Sequence, residues 1–364
     1  MRVLFGVAHP KQVHARKNIA WELERRGHEI RFLTTDKEVT VPLLKRYGFE
    51  YKVIGKSQKK IVKKGILFAK GLFKTFRYVS EFKPDILIGG VPFLAIISRL
   101  VAKPHIMTID TEDASFVTDF SIPFTDVVLT PISFKKDLNP NKHIRFNGYF
   151  ELSYLHPNYF KPDPSSLEIA NLSKDENFVI MRFVSWHAIH DLNQQGIYNL
   201  ERIVKDIEDQ ARVLISSERK LTKSLESYRI KIPPEKIHDF LYYASAYVGE
   251  GAAMASESAI LGTPSIYIST RKLGYLEELE KKYGLVYCYH DPNSGQLNGT
   301  KKVKEILTDK NIKRKWKSKR ERLLSEKIDV TKFMVELIEK FPSFLSDMKE
   351  VGLLRLRAES KRVE

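Results

Sequence analysis

Residues 249–264 read Gly-Glu-Gly-Ala-Ala-Met-Ala-Ser-Glu-Ser-Ala-Ile-Leu-Gly-Thr-Pro. An apolar run, Ala246-Tyr247-Val248, precedes them, and Ser265-Ile266-Tyr267-Ile268-Ser269 follows with the composition of a strand. The order is therefore strand, small-residue turn, helix, strand. Gly262 sits just past the helix, and Pro264 bars its continuation. Gly249, Gly251, Ala252 and Ala253 carry little or no side chain, so a ligand can reach the backbone where the helix begins. Unpaired N–H groups and the positive end of the helix dipole favour an anion at such a place. Glu257 lies about one turn further on. A carboxylate there cannot bind phosphate, but it can accept hydrogen bonds from a ribose diol one step beyond. Tight packing of a helix on a sheet also selects small residues, so a purely structural reading stands beside this one.

The stretch resembles the C-terminal-domain signature of the two-domain glycosyltransferase-B (GT-B) superfamily, which includes the non-hydrolysing UDP-N-acetylglucosamine 2-epimerases. The resemblance implies an α/β protein of two Rossmann-like, doubly wound domains facing a cleft. It also implies that the turn holds a nucleotide diphosphate and the Glu a ribose. Those roles fall on Gly251, Ala252, Ala253 and Met254, and on Glu257. Two departures stand out. Relatives usually have a Gly pair where Ala252-Ala253 stand, and Glu250 lies beside the proposed anion site.

At 364 residues the chain is long enough for two domains, and 43% apolar content suffices for their cores. The boundaries read as a first domain over 1–150, a crossing over 151–176 rich in Pro and polar residues, a second domain over 177–340 and a tail over 341–364, expected to pack on the first domain. Cys288 is the single cysteine, which excludes an intramolecular disulfide and a cysteine-rich zinc site and suits a reducing cytoplasm. The longest uncharged apolar run, residues 86–98, is 13 residues and too short to span a membrane. The N-terminus has too short an apolar run for a signal peptide.

The formal charge of +16 is local. Residues 56–83 hold nine Lys/Arg and one acid, and residues 301–327 hold twelve Lys/Arg and four acids. The rest of the chain balances at 40 basic and 40 acidic residues. Two patches facing anions fit this distribution better than a generally basic protein.

Residues 2–8 form an expected strand, residues 9–14 a loop, residues 15–26 a helix and residues 29–35 a second strand. No Gly-x-Gly-x-x-Gly occurs here, so a tightly held dinucleotide is not expected. The loop carries His9, Lys11 and His14. His14 reads either as a catalytic or acceptor-contacting group or as a surface histidine capping the helix. In residues 59–79, Val62, Ile66, Ala69, Phe73 and Phe76 share one helical stripe, widened by Phe68, Leu72 and Val79. Lys60, Lys63, Lys70, Lys74 and Arg77 lie opposite. The preferred reading is a helix covering a sheet with a solvated basic face. The other is peripheral contact with an anionic membrane. Residues 104–109 deliver Asp110 and Glu112 to a strand's C-terminal end, where ligands bind in open parallel sheets. These are candidate catalytic bases, and no metal site is expected among them. After the strand at residues 177–184, Arg182, Ser185 and His187 are candidate donor contacts, and His190 and Asp191 candidate catalytic groups. Ser217, ending the next strand, joins the donor-binding set.

Gly148-Tyr149-Phe150-Glu151, Tyr154-Leu155-His156-Pro157, Arg182-Phe183-Val184-Ser185-Trp186 and His190-Asp191 occur in an order that resembles one uncharacterised family of predicted glycosyltransferases, a domain of unknown function within the same superfamily. The match covers about residues 1–340 and speaks to fold more than reaction. It implies a glycosyltransferase using a nucleotide-diphosphate sugar, UDP-linked by the resemblance, with an unknown acceptor and no cofactor. A UDP-sugar 2-epimerase is the alternative, although Gly89-Gly90-Val91-Pro92 stands where epimerases carry Gly-Asp-Thr, and a downstream Pro-Glu-Glu is absent. A non-catalytic nucleic-acid-binding protein is the alternative of another class. No RNA- or DNA-binding motif supports it.

Overall fold

The computed structural model describes residues 1–36, 39–56, 64–113, 119–184 and 195–343. Its contacts divide the chain into two compact units. Unit 1 comprises residues 1–154 and 328–364, and unit 2 residues 155–327.

Unit 1 is built on a seven-stranded parallel sheet: β1 (Arg2–Val7), β2 (Glu29–Asp36), β3 (Tyr51–Lys56), β4 (Ile86–Ile88), β5 (His105–Thr108), β6 (Val127–Pro131) and β7 (His143–Phe146), in the order β3-β2-β1-β4-β5-β6-β7. Unit 2 has five parallel strands: β8 (Phe178–Phe183), β9 (Arg212–Ser217), β10 (Ala246–Gly249), β11 (Ser265–Ile268) and β12 (Val286–Tyr289), in the order β12-β11-β10-β8-β9. Both orders are doubly wound. The strand order reverses between β1 and β4 in one sheet and between β8 and β10 in the other, and such switch points are where ligands enter. β1, β4, β5, β8 and β10 are buried along nearly their whole length, as strands covered on both faces must be.

Three features depart from the expected organisation. The first helix starts at Pro10, not at residue 15. Pro10 pre-sets the helical φ, and the His9 ring accepts a hydrogen bond from the Lys11 amide, capping the turn. His14 thus lies inside the helix. The second departure is the path between units. Residues 155–176 pack within unit 2, where the Asp163 amide and the Ser166 hydroxyl both donate to Asp239. The return comes at Ile328, whose amide donates to Asn147. Helix Val330–Glu339 then belongs to unit 1: Thr331 donates to the Ser153 carbonyl, and Phe333 stacks on Phe146 at 5.7 Å. Residues 328–340, read from sequence as part of the second domain, are therefore part of the first. The tail beyond 343 lies outside the described residues.

The third departure is the rotation of helix Lys64–Phe82. Its buried side is Gly71, Thr75, Tyr78, Val79 and Phe82, with Leu72 half-buried. Gly71 sits so close to the Phe93 ring that a Cβ there would stand 2.8 Å from it. This small-residue contact with helix Pro92–Leu100 fixes the rotation and turns Phe73 and Phe76 outward. The expected core stripe through Ala69, Phe73 and Phe76 is overturned. Val62, Lys60 and Lys63 lie outside the described residues. Among the described residues no helix is long and apolar enough to cross a membrane.

Two histidines in the unit 1 sheet are held neutral by burial. His105 has no exposed surface. Its Nε2 donates to the Gly89 carbonyl at 3.1 Å and its Nδ1 accepts from Thr125 at 2.9 Å. His143 is bonded to Thr130 at 2.8 Å. Desolvation pushes both values down to about 4. The unfolded chain binds these protons more readily, so stability is full above about pH 6.5 and falls as pH drops toward 4. Urea unfolding between about pH 7 and pH 4.5 should show a loss of roughly 2 kcal/mol from His105 and a smaller one from the less deeply buried His143. An unchanged midpoint over that window would refute the burial argument.

Candidate functional site

The switch point of unit 2 is built where β8 and β10 end. Gly249 closes β10, and a Cβ there would lie 2.6 Å from both the Arg182 carbonyl and the Tyr247 hydroxyl, so only glycine fits. The Tyr247 hydroxyl donates to the Gly251 carbonyl at 3.0 Å and braces the turn from beneath. Helix Ala252–Leu261 begins immediately after it. Gly251 takes the cap position with extended backbone and has no side chain with which to cap the helix, and the first turn carries no acid. Ala252 is buried, while Ala253 and Met254 are half-buried. Gly262 ends the helix in the left-handed region at φ +88°, where a Cβ would also meet Arg320 at 2.8 Å.

Glu250, next to this helix start, is turned away from it. Its carboxylate accepts from the amides of Val184 at 3.0 Å and Ile197 at 2.7 Å, and both its oxygens accept from Arg219 at 2.7 and 2.8 Å. Burial pushes its carboxyl above the ordinary range; Arg219 and the two amides oppose that shift. The charge is neutralised inside the loop cluster, and the N-terminal amides of the helix keep their positive end.

Arg182 is less free than its sequence position suggests. Its guanidinium donates to Ser216 at 2.8 Å and pairs with Glu218, and its stem lies under Gly251. Ser217 is occupied locally, donating to the Arg219 carbonyl and accepting from the Arg219 amide. Glu257 is 5% exposed, and its carboxylate lies 3.3 Å from Nε2 of buried His238 on helix Ile237–Tyr243. Ser185, His187, His190 and Asp191 lie outside the described residues.

A second polar cluster occupies the same edge of the unit 1 sheet. Lys11 lies between Asp110 at 2.6 Å and Glu151 at 2.9 Å. Buried Arg16 donates to the Gln12 carbonyl and to Thr108 at the end of β5, while its Nε makes no hydrogen bond among the described residues. Burial lowers its value to about 10, against the pull of Asp110. Glu112 is half-buried and accepts from the Lys135 amide. His14 is neither a cap nor open to solvent: it is 4% exposed, bonded to the Tyr47 hydroxyl at 2.9 Å and stacked on Tyr154. That packing corrects the expectation of a surface histidine.

Sequence reasoning missed Arg219, Arg16 and Glu151 as partners. A signal existed for Arg219. Ser216-Ser217-Glu218-Arg219 closes β9, which pairs with β8 in a register that sets Ser216 against Arg182. Nothing in the sequence set Glu151 against Lys11.

Two doubly wound parallel sheets of this design make the protein a member of the GT-B fold class. It is similar over 93% of its length, with a TM-score of 0.65 and 12% identity, to a proposed UDP-N-acetylglucosamine 2-epimerase from Listeria monocytogenes, of which 96% is covered. A second similar structure is glycosyltransferase VinC in complex with dTDP, with a TM-score of 0.62, 14% identity, and coverage of 93% of this chain and 99% of that one. An uncharacterised protein of Methanocaldococcus jannaschii is 23% identical over 278 residues, covering 72% of this chain and 80% of that protein. The chain belongs to the family described as protein of unknown function DUF354, whose model matches residues 2–341.

The Glu250–Arg219 pair yields a direct prediction. Arg219→Ala strands a buried carboxylate and should destabilise unit 2 by about 2–4 kcal/mol in urea unfolding. Adding Glu250→Gln should recover most of that loss. If the double variant is no more stable than Arg219→Ala alone, the pair is not what matters there.

Proposed function

We propose that the protein is a glycosyltransferase that binds a nucleoside-diphosphate sugar at the switch point of unit 2. The observation that carries this reading is the glycine-capped start of helix Ala252–Leu261, at the C-terminal end of β10, with the adjacent carboxylate of Glu250 sequestered by Arg219. N–H groups at the helix start, a helix dipole and a neighbouring Glu250 carboxylate compensated by Arg219 suit a diphosphate. In this reading the amides of Ala252, Ala253 and Met254 hold the phosphates and Glu257 accepts from the ribose. Stabilisation of the leaving diphosphate is the main catalytic contribution. The acceptor hydroxyl gives its proton to a carboxylate at the end of β5, Asp110 or Glu112. UDP is the favoured nucleotide because the similar Listeria protein is named for a UDP sugar and the sequence pattern resembles UDP-sugar enzymes.

A second reading is a UDP-sugar 2-epimerase, favoured by similarity as high to the proposed epimerase as to the transferase. The two differ chemically. Epimerisation removes the hydrogen on C2 of the donor's own sugar and returns one, with no second substrate. Transfer leaves C2 untouched and needs an acceptor. Incubating UDP-N-acetylglucosamine with the protein in heavy water should therefore give slow UDP release, quickened by a suitable acceptor, and no deuterium at C2. Deuterium at C2 without an acceptor would promote the epimerase.

Donor binding has its own test. Because Glu257 is buried beside His238, alanine there opens a cavity, and Glu257→Gln is the cleaner probe. It should weaken UDP binding by about 1–3 kcal/mol in calorimetric titration with an unchanged melting temperature. Ala253→Asp should abolish UDP binding through repulsion. A folded Ala253→Asp protein that binds UDP normally would move the phosphates elsewhere.

A further inference from the structure

Helix Lys64–Phe82 leaves a mixed aromatic and cationic face uncovered. Phe73 is 68% exposed, Phe76 41% and Phe68 37%, and Phe120, 44% exposed, lies edge-on to Phe68 at 6.1 Å. Large aromatic side chains are normally the residues that folding hides, and Phe73 and Phe76, exposed three positions apart on one helix, mark a contact. By helical spacing, Lys70, Lys74 and Arg77 form a band immediately beside Phe73. All three are exposed. Lys70 and Lys74 have no ion pair among the described residues, and Arg77 pairs with Glu81 on the same helix. In the other basic segment, residues 301–327, Lys302, Lys304, Lys315, Lys317, Arg322 and Lys327 pair with carboxylates, and Lys301, Lys310, Lys313 and Arg314 are exposed with no ion pair among the described residues.

We infer that this face docks on an anionic lipid bilayer, with Phe73 and Phe76 entering the headgroup region and Lys70 and Lys74 meeting lipid phosphates. Charge complementarity selects the occupant. Lys70, Lys74 and Arg77 put three exposed cations beside Phe73 on this helix, against the single acid Glu81, which suits an anionic surface rather than a neutral one. Single-stranded nucleic acid is held by a series of rings on which successive bases stack, whereas Phe73 and Phe76 are two rings on one helical arc. An amphipathic helix lying in the interface plane buries this combination of aromatic and basic residues. The inference is independent of the donor reading: loss of UDP binding leaves it standing, and loss of docking leaves the donor site standing.

The test is flotation of the whole protein with vesicles of phosphatidylcholine containing about one-third phosphatidylglycerol, against pure phosphatidylcholine, at low and high salt. Binding should favour the anionic vesicles more than tenfold and fall steeply with salt. Lys70→Gln with Lys74→Gln should weaken it about tenfold or more. Phe73→Ser with Phe76→Ser should weaken it comparably at every salt concentration. These are surface changes, so melting temperatures should match the parent. Trp in Phe73→Trp should shift its emission to the blue on anionic vesicles only. Equal flotation on neutral vesicles, no flotation at low salt, or binding of single-stranded RNA through the same lysines in place of vesicles would each overturn the proposal.

Discussion

The burial of one carboxylate organises unit 2. Glu250 gathers three segments, accepting from Val184 after β8, from Ile197 ahead of helix Leu200–Glu208, and from Arg219 after β9. A buried ionised group is costly unless it is paired and fully hydrogen-bonded. Glu250 meets that condition only when all three segments are in place, so a local electrostatic requirement fixes the positions of the loops around the switch point. The same arrangement decides the polarity of the site. A carboxylate that would repel a phosphate in an open turn here leaves the helix start electropositive.

The fold was legible from residues 249–264 because its signals are backbone signals. A strand that must end in glycine, a helix without a side-chain cap and a left-handed Gly262 leave few alternatives. The alternation of apolar runs with helical segments carried the rest, and parallel strands covered on both faces read as plain apolar stretches. The partners of the site residues were less legible, because they come from separate strands. Asp110 meets Lys11 across 99 positions, and Glu250 meets Arg219 across 31. Only the sheet order brings such residues together.

Helix Lys64–Phe82 shows where periodicity misleads. Two arcs of this helix are apolar, one through Leu72, Val79 and Phe82 and one through Phe73 and Phe76, and hydrophobicity alone cannot say which faces the protein. Gly71 decides it, because it lets the helix approach Phe93 closely, with Thr75 buried on the same side while the aromatic arc points out. Close approach of small residues outweighed the larger apolar area. His14 misled in the opposite sense: a polar residue near a loop turned out to be packed between two tyrosines.

The chain leaves unit 1 after Tyr154 and returns at Ile328. Unit 2 is therefore one uninterrupted segment set inside a unit whose parts are far apart in sequence. During synthesis from the N-terminus, all five strands of unit 2 are made before helix Val330–Glu339 exists. Unit 1, although begun first, lacks the partner of Phe146 and the hydroxyl that bonds the Ser153 carbonyl until that helix has emerged. The usual order in which domains complete as they are translated is reversed here: the second unit can close first, and the first is completed only once helix Val330–Glu339 has been made.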